Sequence, residues 1–207
     1  MEDYRILHDA GYHVLTYDFR NQGQSGQGNG GVGGQGFMAR DVAGSLRFAR
    51  ADARTKDLTI GLFSRCQGAN ASMYAMHLWP EQFDDVRCMV APQPLSMHAT
   101  LARALEAMGM PERLAQLEHE IRLASSLTHE VTTPIPAAGS VRVPTFLYQV
   151  RNDLMTTPDD VQAMFDAIPV EEKRLMWIED STARWDGYLE FQRNPAPMLE
   201  WFATYMG

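Results

Sequence analysis

The sequence has no cluster of basic residues, no long apolar run and only two cysteines among 207 residues. Each absence removes a class of function. Lys and Arg number 18 against 26 Asp and Glu, a formal charge of -8 at pH 7, so no surface stands ready to neutralise nucleic-acid phosphates. No apolar segment approaches the roughly 20 residues that cross a bilayer. The amino terminus, MEDYRILHDAGYHV, carries neither a basic leader nor a signal-like core. The expectation is a cytoplasmic protein with neither a nucleic-acid nor a membrane partner. Cys66 and Cys88 are too few for a disulfide framework and are expected to be free thiols. Neither has a metal partner at zinc-site spacing, and the six histidines form no ligand-like group. His77, within YAMHLW, reads as a packed helix residue. No metal or cofactor is expected.

What is present is enough for one domain over residues 1–207, since 45% of the residues are hydrophobic and 21% charged, a balance that supports a sizeable buried core. GYHVLTYDF alternates and is rich in β-branched and aromatic types, so it reads as a strand from Tyr12 to Phe19. The glycine-rich RNQGQSGQGNGGVGGQGF after it reads as a loop. Val42, Leu46 and Ala49 give a helix over 38–54 one buried face, and LTIGLF has the length and apolarity of an interior parallel strand. A helix over 68–79 stops at Pro80, and VRCMVAP forms another strand. From His98 to His129 the pattern is helical, broken by Gly109 and Pro111, and is too long for a simple crossover. It reads as a helical cap insertion over about 96–138, where a substrate pocket can be completed. VPTFLYQV and KRLMWIE are the last strands, with a helix over 158–167 between them, and NPAPMLEWFATYM closes the chain as a helix. Alternating strands and helices predict an α/β class, a mostly parallel sheet flanked by helices, with ligands beyond the carboxyl ends of its strands.

Within this order SRCQG stands out. Ser64, Cys66 and Gly68 place small residues on either side of a nucleophile where an apolar strand hands over to a helix, and a sharp turn of that kind needs small flanking residues to let strand and helix approach. The amide of Gln67 opens the helix and can serve as an oxyanion donor, while a helix amino terminus favours a thiolate. A buried, space-filling cysteine is the plainer alternative. A dinucleotide-binding turn fits less well, since neither this segment nor the irregular glycine stretch has GxGxxG spacing.

The chain resembles the α/β-hydrolase superfamily through GYHVLTYDFRNQGQSG, SRCQGAN, VPTFLYQVRNDLMTTP and WIEDSTARWDGY. Cysteine in place of the usual serine is similar to the dienelactone hydrolase branch, although Ala69 stands where that branch has a second glycine. The resemblance implies that Asp153, just beyond a strand in RNDLMTTP, is the acid of a triad, a loop or helix-capping carboxylate being the alternative. It also implies a histidine in STARWDGY, where Arg184 stands instead, followed by the matching Trp185, Asp186 and Tyr188. A guanidinium, with a pKa above ~12, is no general base near neutral pH. His98 and His129 at the ends of the helical insertion are candidate substitutes, as is Asp186, which can equally be a structural partner of Arg184. Asp18, Arg20 and Ser25 are expected to hold the glycine-rich loop against the elbow. The family has a further strand upstream whose loop supplies a second oxyanion donor. That strand lies between the ones containing Val14 and Ile60, so the amino-terminal strands are expected to be missing or the sheet altered there.

These residues imply a hydrolase of an ester, lactone or thioester small molecule that forms a covalent acyl-enzyme on Cys66, with Gln67 in the oxyanion hole and Asp153 and Arg184 tuning the site. With arginine in the histidine position, acylation is favoured over deacylation. The alternatives are an acyltransferase and a hydrolase-fold binding or interaction protein without turnover. The sequence leaves the oligomeric state open.

Overall fold

Four apolar runs become four parallel strands: β1 (Ile60–Phe63), β2 (Val86–Pro92), β3 (Thr145–Val150) and β4 (Lys173–Ile178), hydrogen-bonded in the order β1-β2-β3-β4. The computed structural model describes residues 2–28, 35–125 and 133–207. Around the sheet lie α1 (Glu2–Asp9), α2 (Gln35–Ala51), α3 (Gln67–Leu78), α4 (Met97–Ala107), α5 (Leu114–Ser125), α6 (Ile135–Ala138), α7 (Pro158–Ala167), α8 (Arg184–Arg193) and α9 (Ala196–Met206).

Alternation along the central strands decides which helices cover which face. Met89 and Ala91 of β2 and Leu147 of β3 join α2, α3, α6 and α7 in one buried cluster. Cys88, Val90, Phe146 and Tyr148 point the other way, to α1, α8 and α9. A parallel sheet buried on both faces needs apolar residues at successive positions, and VRCMVAP and TFLYQV supply them. The approach of β1 to α9 is close enough that a Cβ at Gly61 would sit 2.3 Å from the sulfur of Met206. Helix boundaries follow local chemistry. The Thr157 hydroxyl accepts from Asp160 N at 3.1 Å and Pro158 takes the first position of α7, while the Ser96 hydroxyl accepts from Ala99 N at the start of α4, both capping arrangements that satisfy amides with no intrahelical partner.

The helical pattern between β2 and β3 becomes α4 and α5, separated by Gly109 at φ +71° and a single 3-10 turn over Pro111–Arg113. Only Ala99 and Leu105 of α4 are buried, whereas Met108 and Leu123 are largely exposed. Residues 126–132, with His129, lie outside the described residues, as do 29–34 of the glycine-rich stretch.

Several expectations are corrected. The segment 12–19 is not a strand: it has no ladder partner among the described residues. A strand needs a neighbour for its backbone groups, and among the described residues β1, the end of the sheet on that side, pairs only with β2. Tyr12 instead stacks against Phe202 with ring centroids 5.8 Å apart. Leu15, Tyr17 and Phe48 remain exposed along a groove of about 680 Å³ between this segment and α2. Asp18 and Ser25 bond within their own loop, where Ser25 Oγ donates to Asp18 O at 2.6 Å and Asp18 accepts from Gln24 N. Arg20 ties that loop to α2 through a forked bond to Asp41, with Nη2 at 2.6 Å, not to the elbow. His77 is exposed on α3 and pairs with Ser140 Oγ at 2.9 Å. Helix α8 has little sequence signal, because Arg184, Asp186 and Gly187 break its apolar period.

Candidate active site

Beyond the carboxyl ends of β1, β2 and β3 the chain makes three turns that meet at Cys66. The first is the elbow itself. Cys66 has φ 54° and ψ -118°, a backbone conformation that costs a non-glycine residue about 1–3 kcal/mol unless its surroundings over-determine it. They do so here. Cys66 N donates to Pro92 O at 2.8 Å, Cys66 O accepts from Ala69 N at 3.0 Å, and the Ser64 and Ser72 hydroxyls pair at 2.8 Å across the strand-helix junction. Cys66 sits at the amino-terminal cap of α3 and Gln67 is the first residue of that helix. The amide of a first helical residue has no intrahelical acceptor, so the Gln67 N–H opens α3 without a partner inside the helix.

The second turn follows β2. Gln93 also has a positive φ, 54°, and is fully buried. Its amide N donates to Tyr148 O at 2.8 Å, its side-chain oxygen accepts from Val150 N at 3.1 Å, and its side-chain nitrogen donates to Arg184 O at 2.7 Å. A Cβ at Gly187 would lie 1.8 Å from that nitrogen, so the first turn of α8 can close on Gln93 only with glycine there. Neither Gln93 nor Gly187 stands out in the sequence as a site residue. The signal available was a polar residue directly after an apolar strand and a glycine inside a helix.

The third turn follows β3. Asp153 is fully buried, its Oδ1 accepting from Met155 N at 2.7 Å and its Oδ2 from Gln149 Nε2 at 3.0 Å and Arg184 Nη1 at 2.5 Å. Arg184 therefore links all three turns. Nη1 serves Asp153, Nη2 donates to Gln93 O at 2.5 Å and reaches Cys66 Sγ at 3.5 Å, and Nε donates to the Tyr188 hydroxyl at 2.8 Å. Burial pulls the Arg184 pKa down, but the charges of Cys66, Tyr188 and Asp153 together hold it above its ordinary value. The site thus keeps a permanent cation beside the sulfur. The Tyr188 phenol is pushed up to about 12, first by burial and then by the hydrogen bond and charge of Cys66, with Arg184 acting in the opposite direction.

The remaining candidates lie apart from this cluster. Asp186 accepts from Ser181 Oγ and from Arg193 Nη1 at 2.8 Å, not from Arg184. Those bonds lower its pKa, Ser181 most and Arg193 next, which makes it a poor proton acceptor. His98 pairs with Glu118 at 2.7 Å between α4 and α5. Among the described residues no group of three or more His, Cys, Asp or Glu side chains is arranged to hold a metal ion, and no helix is long and apolar enough to cross a membrane.

No family model matches the chain, and no curated protein matches it either. Solved structures do. An esterase from Pyrococcus furiosus superposes with a TM-score of 0.73 at 20% identity, covering 100% of this chain and 75% of that one. A monoacylglycerol lipase from Paleococcus ferrophilus gives 0.64 at 16% identity, covering 98% and 88%. A dienelactone hydrolase from Anabaena variabilis gives 0.54 at 18% identity, covering 84% and 62%. With its parallel sheet, flanking helices and these structural neighbours, the chain has the α/β-hydrolase fold.

Proposed function

We propose that the protein hydrolyses a carboxylic ester, lactone or thioester through a covalent acyl-enzyme on Cys66. The observation that carries this reading is the strained Cys66 at the head of α3 with the Arg184 guanidinium 3.5 Å from its sulfur. A cation at that distance and a helix amino terminus both stabilise negative charge on sulfur. The thiolate adds to the substrate carbonyl, and the oxyanion so formed is met by Gln67 N–H. Collapse expels the alcohol or thiol and leaves the acyl group on sulfur. Asp153 acts by fixing and neutralising Arg184, so the cation stays where the sulfur needs it. The helical insertion over about 96–138, with its Leu, Met and Ala side chains, serves as a cap that admits a partly apolar acyl group.

The site also supports a second reading, a hydrolase-fold binding protein, because Arg184 occupies the place of a base and its bonds to Asp153, Gln93 and Tyr188 already hold it. An acyltransferase differs only in the acceptor that removes the acyl group. Intact-mass spectrometry after exposure to p-nitrophenyl and thioester acyl donors separates these readings. The hydrolase forms an adduct that is absent from Cys66→Ala and decays with repeated turnover. A persistent adduct that leaves only when an added amine, thiol or alcohol takes it up makes the protein a transferase. Absence of adduct and of release with every donor overturns the covalent mechanism.

A further inference from the structure

Deacylation requires a proton acceptor, and neither the guanidinium of Arg184 nor the paired carboxylates supply one. The side chain that shares this cation with the sulfur is Tyr188. Its hydroxyl accepts from Arg184 Nε at 2.8 Å, and the same guanidinium reaches Cys66 Sγ at 3.5 Å through Nη2. A phenol has a single proton. With the oxygen accepting from Arg184, that proton remains available to a second acceptor beside a guanidinium that also meets the sulfur. Its ring is flanked by two cations, the guanidinium carbon of Arg184 lying 5.5 Å from the ring centroid and that of Arg65 5.6 Å. Arg65 precedes the nucleophile and is held by a salt bridge to the buried Asp3 of α1. Arg65 also lies over the Phe63 ring, 5.7 Å from its centroid, and two guanidinium groups placed around one phenol stabilise a phenolate.

We propose that Tyr188 is the proton carrier of the site, a catalytic residue that acts as general acid in acylation and general base in deacylation, held for both by Arg184 and Arg65. The inference rests on Cys66 being acylated as described above. In the first half-reaction the thiolate bonds the acyl carbon, the carbon–oxygen or carbon–sulfur bond of the substrate breaks, and the phenol proton passes to the departing alkoxide or thiolate. The phenolate left behind faces Arg184 and Arg65. In the second half-reaction it takes a proton from water, the hydroxide bonds the acyl carbon, and the sulfur leaves as thiolate. The products are an alcohol or thiol and a carboxylic acid, with Cys66 and Tyr188 returned to their starting states.

The charge on sulfur sets the order of these events. While Cys66 is a thiolate, its charge and hydrogen bond hold the proton on Tyr188, together with burial. Once the sulfur is acylated its charge is gone; burial still raises the phenol, but it is then opposed by Arg184 without the added charge of Cys66, so Tyr188 gives up and takes its proton more readily at the step that needs a base. The groups that set this balance are Cys66 from the elbow and Arg184 from α8, together with burial; Arg65 lies over the ring, and Asp3 and Asp153 hold the two arginines.

The test compares wild type and Tyr188→Phe with two acetyl donors, p-nitrophenyl acetate, whose leaving group needs no proton, and ethyl acetate, whose leaving group does. Adduct formation on Cys66 with the p-nitrophenyl ester is expected to change little in Tyr188→Phe. Decay of that adduct is expected to slow about 100-fold or more, and acylation by the ethyl ester to fall by a similar factor, as for loss of a general acid–base group. Replacing Tyr188 by difluorotyrosine, which keeps the ring and hydroxyl but lowers the phenol pKa, is expected to move the pH profile of adduct decay to lower pH. This covers a Tyr188→Phe protein that fails to fold. Adduct decay in Tyr188→Phe at the wild-type rate, or an unmoved profile in the fluorinated protein, overturns the role of Tyr188 while leaving the Cys66 acyl-enzyme standing. A wild-type protein that forms no adduct and releases no product with any donor removes both.

Discussion

The two cysteines lie on neighbouring parts of one sheet and differ in everything except residue type. Cys88 sits inside β2, fully buried among Val90, Phe146 and Phe202, and burial alone pushes its thiol up to about 12. Cys66 sits beyond the end of β1, half-buried, on a backbone forced to positive φ, facing a guanidinium and a phenol. The strand interior makes a cysteine a small apolar residue. The strand end sets it beside a guanidinium, where the proposed nucleophile stands. The proposed reactivity is a property of where the β-strand stops.

The largest effect that difference predicts is in thiol modification. With iodoacetamide on the native protein, one alkylation is expected, at Cys66, and it disappears in Cys66→Ala. Cys88 reacts only when the sheet opens, and unfolded fractions of about 10⁻³–10⁻⁶ make it at least about 1,000-fold slower. Peptide mapping of the alkylated protein reads both rates. Two alkylations at comparable rates break the comparison.

Removing the cation comes next. Arg184→Gln leaves Asp153 buried without its charged partner, and breaking a buried pair in this way costs about 3–5 kcal/mol. The equivalent change at Arg20, whose pair with Asp41 is partly exposed, is expected to cost about 1 kcal/mol or less. Urea denaturation measures both. Equal losses at the two sites mean that the buried pair does not organise the three turns. Gly187→Ala is expected to fall between them, at about 1–3 kcal/mol, the usual cost of overpacking. Its new Cβ displaces the Gln93 amide from Arg184 O, and slowed alkylation of Cys66 reports that displacement.

Those predictions depend on residues of very unequal visibility in the sequence. The four strands and helices α3, α7 and α9 were legible because each is a continuous apolar run or a periodic one bounded by proline or a small residue. The elbow was legible because SRCQG combines spacing with context. Tyr12 to Phe19 was misread since alternation records only a tendency to be extended, while a strand also needs a partner. Gln93 escaped because its role is made by contacts with Val150 and Arg184, 57 and 91 positions away. Tyr188 was seen as part of a pattern but given no task, for its proximity to Cys66 exists only after α8 folds back over the sheet. Short-range chemistry is written locally, whereas a site assembled from three turns is not.

The finest difference between the cysteines is a proton. Burial raises the Cys88 pKa from its ordinary 9.0 to about 12, so the unfolded chain loses that proton before the folded one does. The contribution is therefore fully present below about pH 9 and is lost as pH rises toward 12, with a slope that approaches 1.4 kcal/mol per pH unit for about one proton. Tyr12, Tyr17 and Tyr148 are also raised by burial, and they add to the alkaline loss, but their unfolded forms begin to titrate near 10. Between about pH 9 and 10 the thiol acts first. Cys88→Ala removes its share and, with it, the Cys88 charge that adds to the raising of Tyr12 above pH 9; Tyr17 and Tyr148 owe nothing to Cys88. Urea unfolding of wild type and Cys88→Ala, compared from about pH 8 to about pH 10.5, is expected to show a stability difference that favours wild type at the lower end and narrows steadily above pH 9. Parallel curves would mean that Cys88 keeps the same proton in both states, and that the strand interior is less apolar to a thiol than its packing indicates.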